Sequence, residues 1–590
     1  MSYRGERRHG RAADGRHAAG PGSGRTRKKG GCGGCLIIMI GVIILSVCVW
    51  KGWSEWWPGH ERAESEMRQV EQPLTYNGIW SGYGTRGQGK DLLIPVQALD
   101  GLLPVTFEEE SGTVILTSPI MAASMPLDER GGMLNGSPKE WPAAAARIGN
   151  TVHVPASVLE ELYGIEVKQY PANGAVQFGM PGQTLQAGMI VKLRQPEDTV
   201  PMRQRADKKS PIIADLKSES AVTIWEESGD WLRVEADDGT LGYVAADDVV
   251  PGDTHTVPHA PEAPQPRFVK EKTPVSLAWE AVYSRNPDPS KLPNMPGTNV
   301  ISPTWFSLED DEGNVHSKAD RSLTEWAHRN GKQVWALYSN SFEPERTTEA
   351  LSTFERRNRT ISQLLVLAER YQADGINLDF ENVNVEDRNK LTQFVRELVP
   401  QLHAKGLVAS IDVTAKSESG RWSQFLDREA LGQLVDYMMV MAYDEHWAAS
   451  PVAGSVASLP WTEQAVTRIM NEDNVPAHKL VLGMPLYTRI WTEEVQDGET
   501  KVSSKALGMQ SIQDILADKK LKPEFDESAG QHYVEYKEEG NLQRIWIEDE
   551  RSVRSRIALA DRLGLGGIAV WARTFASDDI WDVLRYPPAS

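Results

Sequence analysis

The sequence has very few cysteines, and their positions limit the kinds of protein it can be. Among 590 residues there are three, at positions 32, 35 and 48. No cysteine follows Trp50, so the long remainder has no disulfide and must be stabilised by large apolar cores. Cys32 and Cys35 have CxxC spacing, but no second pair or histidine cluster accompanies them, so a zinc site is not indicated. We expect no metal and no cofactor.

Positive charge is scarce outside the N-terminus. Residues 1–29 hold nine Arg or Lys against two acidic residues, a net charge of +7, whereas the whole chain carries -19. The rest of the chain therefore carries -26, which makes nucleic acid an unfavourable partner. We interpret residues 1–29 as a basic cytoplasmic tail attracted to the anionic inner leaflet of a membrane.

One long apolar run follows the basic tail. Residues 30–50 are uncharged and include LIIMIGVIILSVCVW, and the run is about as long as a span of a hydrocarbon core of roughly 30 Å requires. We predict an uncleaved, single-pass signal anchor, with the N-terminus in the cytoplasm and the bulk of the chain outside. Two alternatives are a cleaved signal peptide, although no A-x-A-like site is present, and a lipoprotein anchor at Cys48, although Val47 is bulky for one.

Residues 51–75 are polar and are interpreted as a spacer, and a weak internal repeat follows in residues 76–182. The segment LLIPVQALDGLLPVTFEEESGTVIL (92–116) parallels VHVPASVLEELYGIEVKQYPANGAVQF (152–178). Each copy predicts a strand, a proline, a short helix and two more strands. This α+β module resembles the N-terminal module of some copper amine oxidases, but it lacks the clustered His or Cys that copper needs. We therefore interpret it as a structural or wall-contacting spacer.

Short alternating strands follow in residues 186–250. A Gly-Asp pair and an Asp-Gly pair mark hairpin turns between them, and Trp231 and Tyr243 are expected to pack inside a small all-β barrel. The segments GDWLRV and DGTLGYV resemble the bacterial SH3 family. That resemblance implies binding of cell-wall peptides, and the alternative is a barrel with a purely structural role.

Residues 251–274 are rich in proline and poor in apolar residues, which is typical of an extended linker. From there to residue 590, apolar strand-like runs alternate with amphipathic helical runs, which is the pattern of β/α units. Eight units predict an α/β fold, the (β/α)8 TIM barrel, with a small α+β insertion at about 492–565. The predicted strands are 275–280, 299–308, 333–340, 374–381, 407–415, 437–446, 479–488 and 566–572.

The fourth predicted strand carries an unusual set of polar residues. In DGINLDFE (374–381), Asn377, Asp379 and Glu381 alternate with three apolar residues. Side chains two apart share a face of a strand, so we expect the polar three to face the barrel axis and the apolar three to face the helices. Burial and crowding of two carboxyl groups raise a pKa, as a general acid near neutrality requires. Glu381, at the rim, is the predicted proton donor and Asp379 its partner.

Four motifs together resemble glycoside hydrolase family 18, the chitinase-like barrels. DGINLDFE is similar to the signature DGxDxDxE of that family, and MAYDEHW (441–447), LGMPLYTRIW (482–491) and GGIAVW (566–571) match its sixth, seventh and eighth strands in order. The resemblance covers residues 275–590. It implies cleavage beside an N-acetylated sugar with retained configuration, in which the acetamide of the substrate replaces a carboxylate nucleophile.

The resemblance also implies roles for individual residues. The expected catalytic residues are Glu381, the acid and then the base, Asp379, which orients the acetamide, and Tyr443, which donates a hydrogen bond to its oxygen. The expected substrate-binding residues are Asn377, Asp444, Trp571, Tyr487 and Glu280.

Asn377 departs from the family pattern, because many chitinases have an aspartate at this position. The amide removes one carboxylate from the cluster, so we expect Asp379 to be held by a hydrogen bond with Asn377 instead of sharing a proton. With Asn377, the motif is more similar to the bacterial spore-associated branch, whose members cut N-acetylglucosamine linkages in peptidoglycan.

The features predict a membrane-anchored hydrolase of a cell-wall polymer that contains N-acetylglucosamine, peptidoglycan or spore cortex, with its barrel on the outer side of the membrane. The first alternative is a chitinase, which would use the same residues. The second is a glycan-binding wall protein without activity, which the intact Asp379, Glu381 and Tyr443 disfavour.

Overall fold

The structure is a computed structural model that describes residues 57–191, 193–195, 197–260, 264–496 and 499–586. The predicted basic tail and transmembrane anchor lie outside these residues. None of the described helices is both long and apolar enough to span a membrane.

The first module contains two copies of one arrangement, as the internal repeat predicts. In each copy a strand that ends in proline runs into a short helix and then into two strands; Leu93–Pro95 begins the first copy and Thr151–Pro155 the second. These opening strands pair antiparallel, with Ile94 opposite Val154, so both copies share one apolar core. The repeat is confirmed, whereas the likeness to copper amine oxidases stays a prediction.

Three sheets surround this first core. The strands are Pro73–Tyr76, Ile79–Gly84, Leu93–Pro95, Val105–Glu108, Thr113–Ser118, Met121–Pro126, Gly131–Leu134, Ser137–Glu140, Ala146–Ile148, Thr151–Pro155, Glu166–Gln169 and Val176–Gly179. The helices are Glu66–Gln69, Gly89–Asp91, Val96–Leu99 and Ala156–Tyr163.

A seven-stranded antiparallel sheet follows and encloses a small aliphatic core. Both predicted hairpins connect neighbouring strands. The prediction that Trp231 and Tyr243 pack inside was wrong, because the alternate residues Leu232 and Val244 fill the core and the two aromatic side chains lie half-buried on the other face. The strands are Thr184–Ile190, Thr199–Arg203, Ile212–Lys217, Ala221–Ser228, Trp231–Ala236, Leu241–Ala245 and Val249–Thr256, with one short helix, Ala246–Asp248.

The segments predicted as spacer and linker pack against their neighbouring modules. Arg62 forms an ion pair of 2.7 Å with Asp215 of the seven-stranded sheet. The strand Val249–Thr256 extends that sheet into the predicted linker, and the helix Arg267–Lys270 places Phe268 against the ring of Trp335 inside the last module, with 5.4 Å between centroids. The truly extended connection is therefore shorter than residues 251–274.

Eight parallel strands close into a barrel, as the sequence predicts. Each pairs with the next along the chain, and the last pairs with the first. The eight barrel strands are Val275–Glu280, Val300–Pro303, Gln333–Ser339, Gly375–Asp379, Val408–Thr414, Tyr437–Met441, Leu480–Pro485 and Gly567–Trp571, and a small hairpin, Phe306–Leu308 with Val315–Ser317, follows the second.

Four of the helices around the barrel begin at side chains that cap their first turn. Asp320, Thr353, Asp427 and Asp549 each accept hydrogen bonds from backbone N–H groups there, which satisfies donors that the helix itself cannot pair. The longer helices are Arg321–Arg329, Pro344–Ala350, Phe354–Tyr371, Arg388–Ala404, Arg428–Leu434, Leu459–Glu472 and Glu550–Arg562, and the short ones are Pro289–Lys291, Val385–Asp387, Gly420–Gln424, Ala477–Lys479, Arg573–Phe575 and Ile580–Val583.

The insertion between the seventh and eighth strands begins earlier and ends earlier than 492–565. The predicted run 479–488 divides at Leu486, whose N–H donates to the carbonyl of Trp571 at 2.8 Å, and Glu550–Arg562 packs with the barrel helices. The hairpin predicted around Gly540 is confirmed. The inserted strands are Tyr487–Gln496, Glu499–Gly508, Glu524–Asp526, Gln531–Glu538 and Asn541–Ile547, with the helix Met509–Asp518.

The interior of the barrel changes in character from one end to the other. Its lower layers are apolar and aromatic, and Trp335 stacks on Tyr437 with 5.5 Å between ring centroids. At the carboxyl ends of the strands the inward side chains become polar, which places them at the end where barrel enzymes hold their active sites.

Candidate active site

The fourth barrel strand presents alternate residues to two different environments. Ile376, Leu378 and Phe380 are buried among the helices of the outer layer. Asn377 bonds to a side chain of the fifth strand, which is possible only from the inner face. The predicted alternation is confirmed, and it sends Asp379 into the barrel mouth.

Glu381 lies two residues beyond the end of this strand, and its backbone is held on both sides by one side chain. Asn340 accepts a hydrogen bond from the N–H of Glu381 at 3.0 Å and donates one to its carbonyl at 2.8 Å. Asn340 is buried and ends the run QVWALYSN of the third strand. Asn340 was not predicted from the sequence, although a terminal amide on a barrel strand is a signal that could have identified it.

The carboxyl groups of the fourth strand are unusually weak acids. Burial raises the pKa of Asp379 to about 7. Burial, together with the charges of Asp379 and Asp444, raises the pKa of Glu381 to about 9. Among the described residues none forms a hydrogen bond or an ion pair with the Glu381 carboxyl group, which is only partly buried. A protonated carboxyl that a substrate can reach is what a general acid requires.

Asn377 does not hold Asp379, so that prediction was wrong. Its amide donates to Asp412 Oδ2 at 2.8 Å and its carbonyl oxygen accepts from Ser410 Oγ at 2.7 Å. The reason is the strand register, which sets Asn377 beside Ser410 of the fifth strand. Ser410 and Asp412 were also missed, although they alternate in LVASIDVTA just as Asn377 and Asp379 do in their strand.

Tyr443 and Asp444 follow the sixth strand at the mouth. Tyr443 packs edge-on against Tyr487, with 6.4 Å between ring centroids. Asp444 adopts a left-handed backbone conformation with φ +62°, and its Oδ1 accepts hydrogen bonds from Tyr487 Oη at 2.6 Å and Arg489 Nη2 at 3.2 Å. Tyr487 and Arg489 begin the inserted sheet, so the insertion positions Asp444; Arg489 was not predicted.

Trp571 and Glu280 end neighbouring strands of the barrel. Trp571 is partly exposed and lies 6.1 Å from the ring of the buried Trp279. Glu280 is buried and pairs with Arg573, whose Nη2 is 2.9 Å from Oε1 and whose Nε bonds Oε2. Both oxygens of Glu280 are therefore engaged, and its contact with a sugar stays a prediction.

The mouth thus gathers five of the predicted residues around one acid. Glu381 offers a carboxyl group with a raised pKa, Asp379 a second such carboxyl group, and Tyr443 a hydroxyl with no described hydrogen-bond partner. The aromatic rings supply flat apolar surfaces. Together these groups are suited to protonating a leaving oxygen and stabilising positive charge next to it. The residues beside the acid are Asp379, Tyr443, Asp444, Tyr487 and Trp571.

Comparisons with known proteins identify two domains in the chain. Residues 306–576 match the family described as "Glycosyl hydrolases family 18", and residues 198–250 match "Bacterial SH3 domain". The chain is 28% identical over 301 residues to the "Uncharacterized glycosylase YvbX" of Bacillus subtilis (strain 168), covering 49% of this chain and 84% of that protein.

A second relative is matched over a smaller share of its length. The chain is 27% identical over 252 residues to the "Cortical fragment-lytic enzyme" of Bacillus subtilis (strain 168), covering 42% of this chain and 57% of that enzyme. A solved structure, a chitinase from Chromobacterium violaceum ATCC 12472, is 24% identical with a TM-score of 0.47, covering 53% of this chain and 98% of that chain. The chain therefore contains a glycosyl hydrolases family 18 domain and a bacterial SH3 domain.

Proposed function

We propose that this protein is a retaining glycosidase that cuts cell-wall polymer beside N-acetylglucosamine, with peptidoglycan or spore cortex as its substrate. The observation that carries the proposal is the Glu381 carboxyl group, which lies at the barrel mouth with a raised pKa and no described partner. A structural carboxylate in such a place would be paired, because an unpaired buried charge is costly.

The reaction follows from the positions of three groups. Glu381 donates its proton to the glycosidic oxygen as the bond to the anomeric carbon breaks, and the acetamide oxygen of the sugar attacks that carbon. Asp379, as a carboxylate, stabilises the positive charge on the acetamide nitrogen, and Tyr443 donates to the acetamide oxygen. Glu381 then removes a proton from water, which opens the oxazolinium ion and retains the configuration.

Likeness to a cortical fragment-lytic enzyme and to a glycosylase favours wall glycan over chitin as the substrate. The alternatives remain a chitinase and a wall protein that binds glycan without cutting it. We further propose that the SH3 domain binds wall peptide and that residues 30–50 anchor the chain in the cell membrane with the barrel outside. Binding of wall peptide and anchoring in the membrane would each raise the concentration of wall glycan near the barrel.

The Glu381→Gln variant tests the enzymatic proposal. We expect it to lower the release of reducing ends from peptidoglycan by at least about a hundredfold, since proton transfer by a positioned acid contributes about that much. The assay uses the full chain, purified peptidoglycan and chitin oligomers. Glu386→Gln, at an exposed position in the short helix Val385–Asp387, is the matched control and should retain activity. Equal release by wild type and Glu381→Gln would contradict the proposal.

A further inference from the structure

A second buried carboxyl group lies beside Asp379 on the neighbouring strand. The fourth and fifth strands are parallel, with Asn377 beside Ser410 and Leu378 beside Ile411. The next inward residue on each strand is an aspartate, Asp379 on one and Asp412 on the other. Neighbouring strands are about 4.8 Å apart, so the two carboxyl groups lie side by side at one level of the barrel.

Each carboxyl group of this pair has an oxygen without a partner. Asp412 Oδ2 accepts the amide of Asn377 at 2.8 Å, while Asp412 Oδ1 and Asp379 Oδ1 are buried and have no described partner in normal hydrogen-bond geometry. The buried indole N–H of Trp279, which also lacks such a partner, faces Asp412 and favours its charged form, against the larger effects of burial and of Asp379. The cations of the mouth are engaged elsewhere, Arg573 with Glu280 and Arg489 with Asp444.

The titratable groups that face Asp412 are Asp379, Glu381 and Tyr443. Each of these three groups is either negatively charged or neutral. If Asp379 and Asp412 were both ionised, no positive charge among them would offset the repulsion between the two carboxylates. One proton between them removes the repulsion and supplies a donor for the unpartnered oxygens. Asp412 is fully buried, whereas Asp379 is partly exposed at the mouth, so the charge is better solvated on Asp379 and Asp412 is the member that keeps the proton. Burial and the neighbouring Asp379 accordingly hold the pKa of Asp412 well above its usual range.

We propose that Asp412 is a protonated positioning residue whose Oδ1–H donates a hydrogen bond to Asp379 Oδ1. This inference rests on the proposed function for its catalytic consequence. Three side chains form a series of hydrogen bonds that runs in one direction. Ser410 Oγ donates to Asn377 Oδ1, and the Asn377 amide N–H donates to Asp412 Oδ2. The proton of Asp412 is then on Oδ1, toward Asp379, which stays ionised and aimed at the mouth.

A protonated Asp412 beside Asp379 explains why the protein can have an amide at position 377 and still catalyse the proposed reaction. The carboxyl group that Asn377 lacks is supplied by Asp412 from the next strand, and the amide serves to hold it. An aspartate at 377 would need a second proton to make the same contact.

A spectroscopic experiment tests the protonation without substrate. In the full chain at neutral pH, the infrared band of protonated carboxylic acids should lose intensity in Asp412→Asn, measured in the Glu381→Gln background so that Glu381 does not contribute. An unchanged band would show that Asp412 is ionised and overturn the proposal. This readout does not depend on activity, so it separates failure of this inference from failure of the proposed function.

Kinetics test the positioning role. Asp412→Asn keeps an N–H donor, so kcat and the acidic limb of the pH profile should stay close to wild type. Asp412→Leu has similar size but no donor, and loss of a hydrogen bond to a charged group should lower kcat about 10- to 100-fold. It should also move the acidic limb to higher pH with little change in KM. Equal impairment of both variants, or a wild-type profile for Asp412→Leu, would overturn the proposal. Should Asp412→Leu not fold, the infrared comparison decides.

Discussion

At the scale of single residues, the chemistry of the mouth depends on carboxyl groups that are buried without a cation beside them. Glu280 is also buried, but it pairs with Arg573, whereas Asp379, Glu381 and Asp412 have raised pKa values because desolvation is not compensated. The presence of Arg573 thus distinguishes the ion-paired Glu280 from the three carboxyl groups whose pKa values are raised.

We expect kcat/KM to follow a bell-shaped pH profile. Asp379 must be ionised, so activity should rise as pH increases through its pKa of about 7. Glu381 must be protonated, so activity should fall as pH increases through its pKa of about 9. Because the two carboxyl groups interact, the apparent pKa values read from the two limbs of the profile belong to the pair and not to either residue alone. Initial rates on chitin oligomers across this range provide the check, and activity that is highest in acid would contradict the assignment.

Asn377→Asp should destabilise the protein, and more so at higher pH. The new carboxyl group would lose the amide donor to Asp412 and leave a buried group unsatisfied, at a cost of about 1–3 kcal/mol. Its pKa would be raised by folding, so the folded state would bind the proton more tightly. Stability therefore falls as pH increases above the unfolded value of about 3.9.

The measurement for this variant is the melting temperature as a function of pH. The deficit relative to wild type should grow from acidic to neutral pH. Asn294→Asp, at an exposed position outside the helices and strands, is the control, and a similar pH trend in both variants would argue against the buried position as the cause.

At the scale of elements, residues from several strands meet only because the strands close into a ring. Asn340 from the third strand holds the backbone of Glu381, and Arg489 from the insertion holds Asp444. These contacts join positions up to 45 residues apart. The insertion is therefore part of the site and not an appendage of it.

Tyr487→Phe should weaken substrate binding more than it slows the chemical step. The variant removes the hydrogen bond of 2.6 Å to Asp444 Oδ1, so Asp444 is less well oriented toward sugar hydroxyls. A hydrogen bond to a charged group contributes about 1.5–3 kcal/mol, which predicts a rise in KM of about 10- to 100-fold. Steady-state kinetics on chitin oligomers measure it.

Tyr533→Phe is the matched control for this prediction. Tyr533 makes a similar, exposed hydrogen bond of 2.6 Å to Glu535 on the inserted sheet, and neither residue contacts Asp444 or Tyr443 in any described hydrogen bond. Its KM should equal that of wild type. An equal rise in KM for both variants would mean that the effect comes from the insertion as a whole.

At the scale of the whole molecule, the first module packs against the helical layer of the barrel. Its five-stranded sheet lies on the helix Arg388–Ala404. At this interface Arg357 is almost fully buried and pairs with Glu397 at 2.8 Å and with Glu108 of the sheet at 2.9 Å. Glu108 also accepts the N–H of Phe354 at 2.7 Å. The guanidinium group of Arg357 thus connects two helices of the barrel with the first module.

Arg357→Met should lower the free energy of unfolding by about 3–5 kcal/mol, because it leaves Glu397 buried without its cation. Urea denaturation measures the change, and hydrogen exchange should increase in the strands Thr113–Ser118 and Met121–Pro126. Arg359→Met is the control, since Arg359 is exposed and its side chain bonds only to Glu312 among the described residues; such surface pairs contribute about 0–1 kcal/mol. Similar losses in both variants would contradict a buried role for Arg357.

The sequence by itself determined the eight strands, the repeat in the first module, both hairpins of the SH3 domain and the inward direction of Asn377 and Asp379. Each of these depends on the spacing of apolar and polar residues within a short segment, because neighbouring side chains of a strand alternate between faces. Tertiary structure alone decided that Asn377 holds Asp412, that Asn340 holds Glu381, and that Glu280 pairs with Arg573. Those contacts depend on strand register and on ring closure, which no local pattern contains.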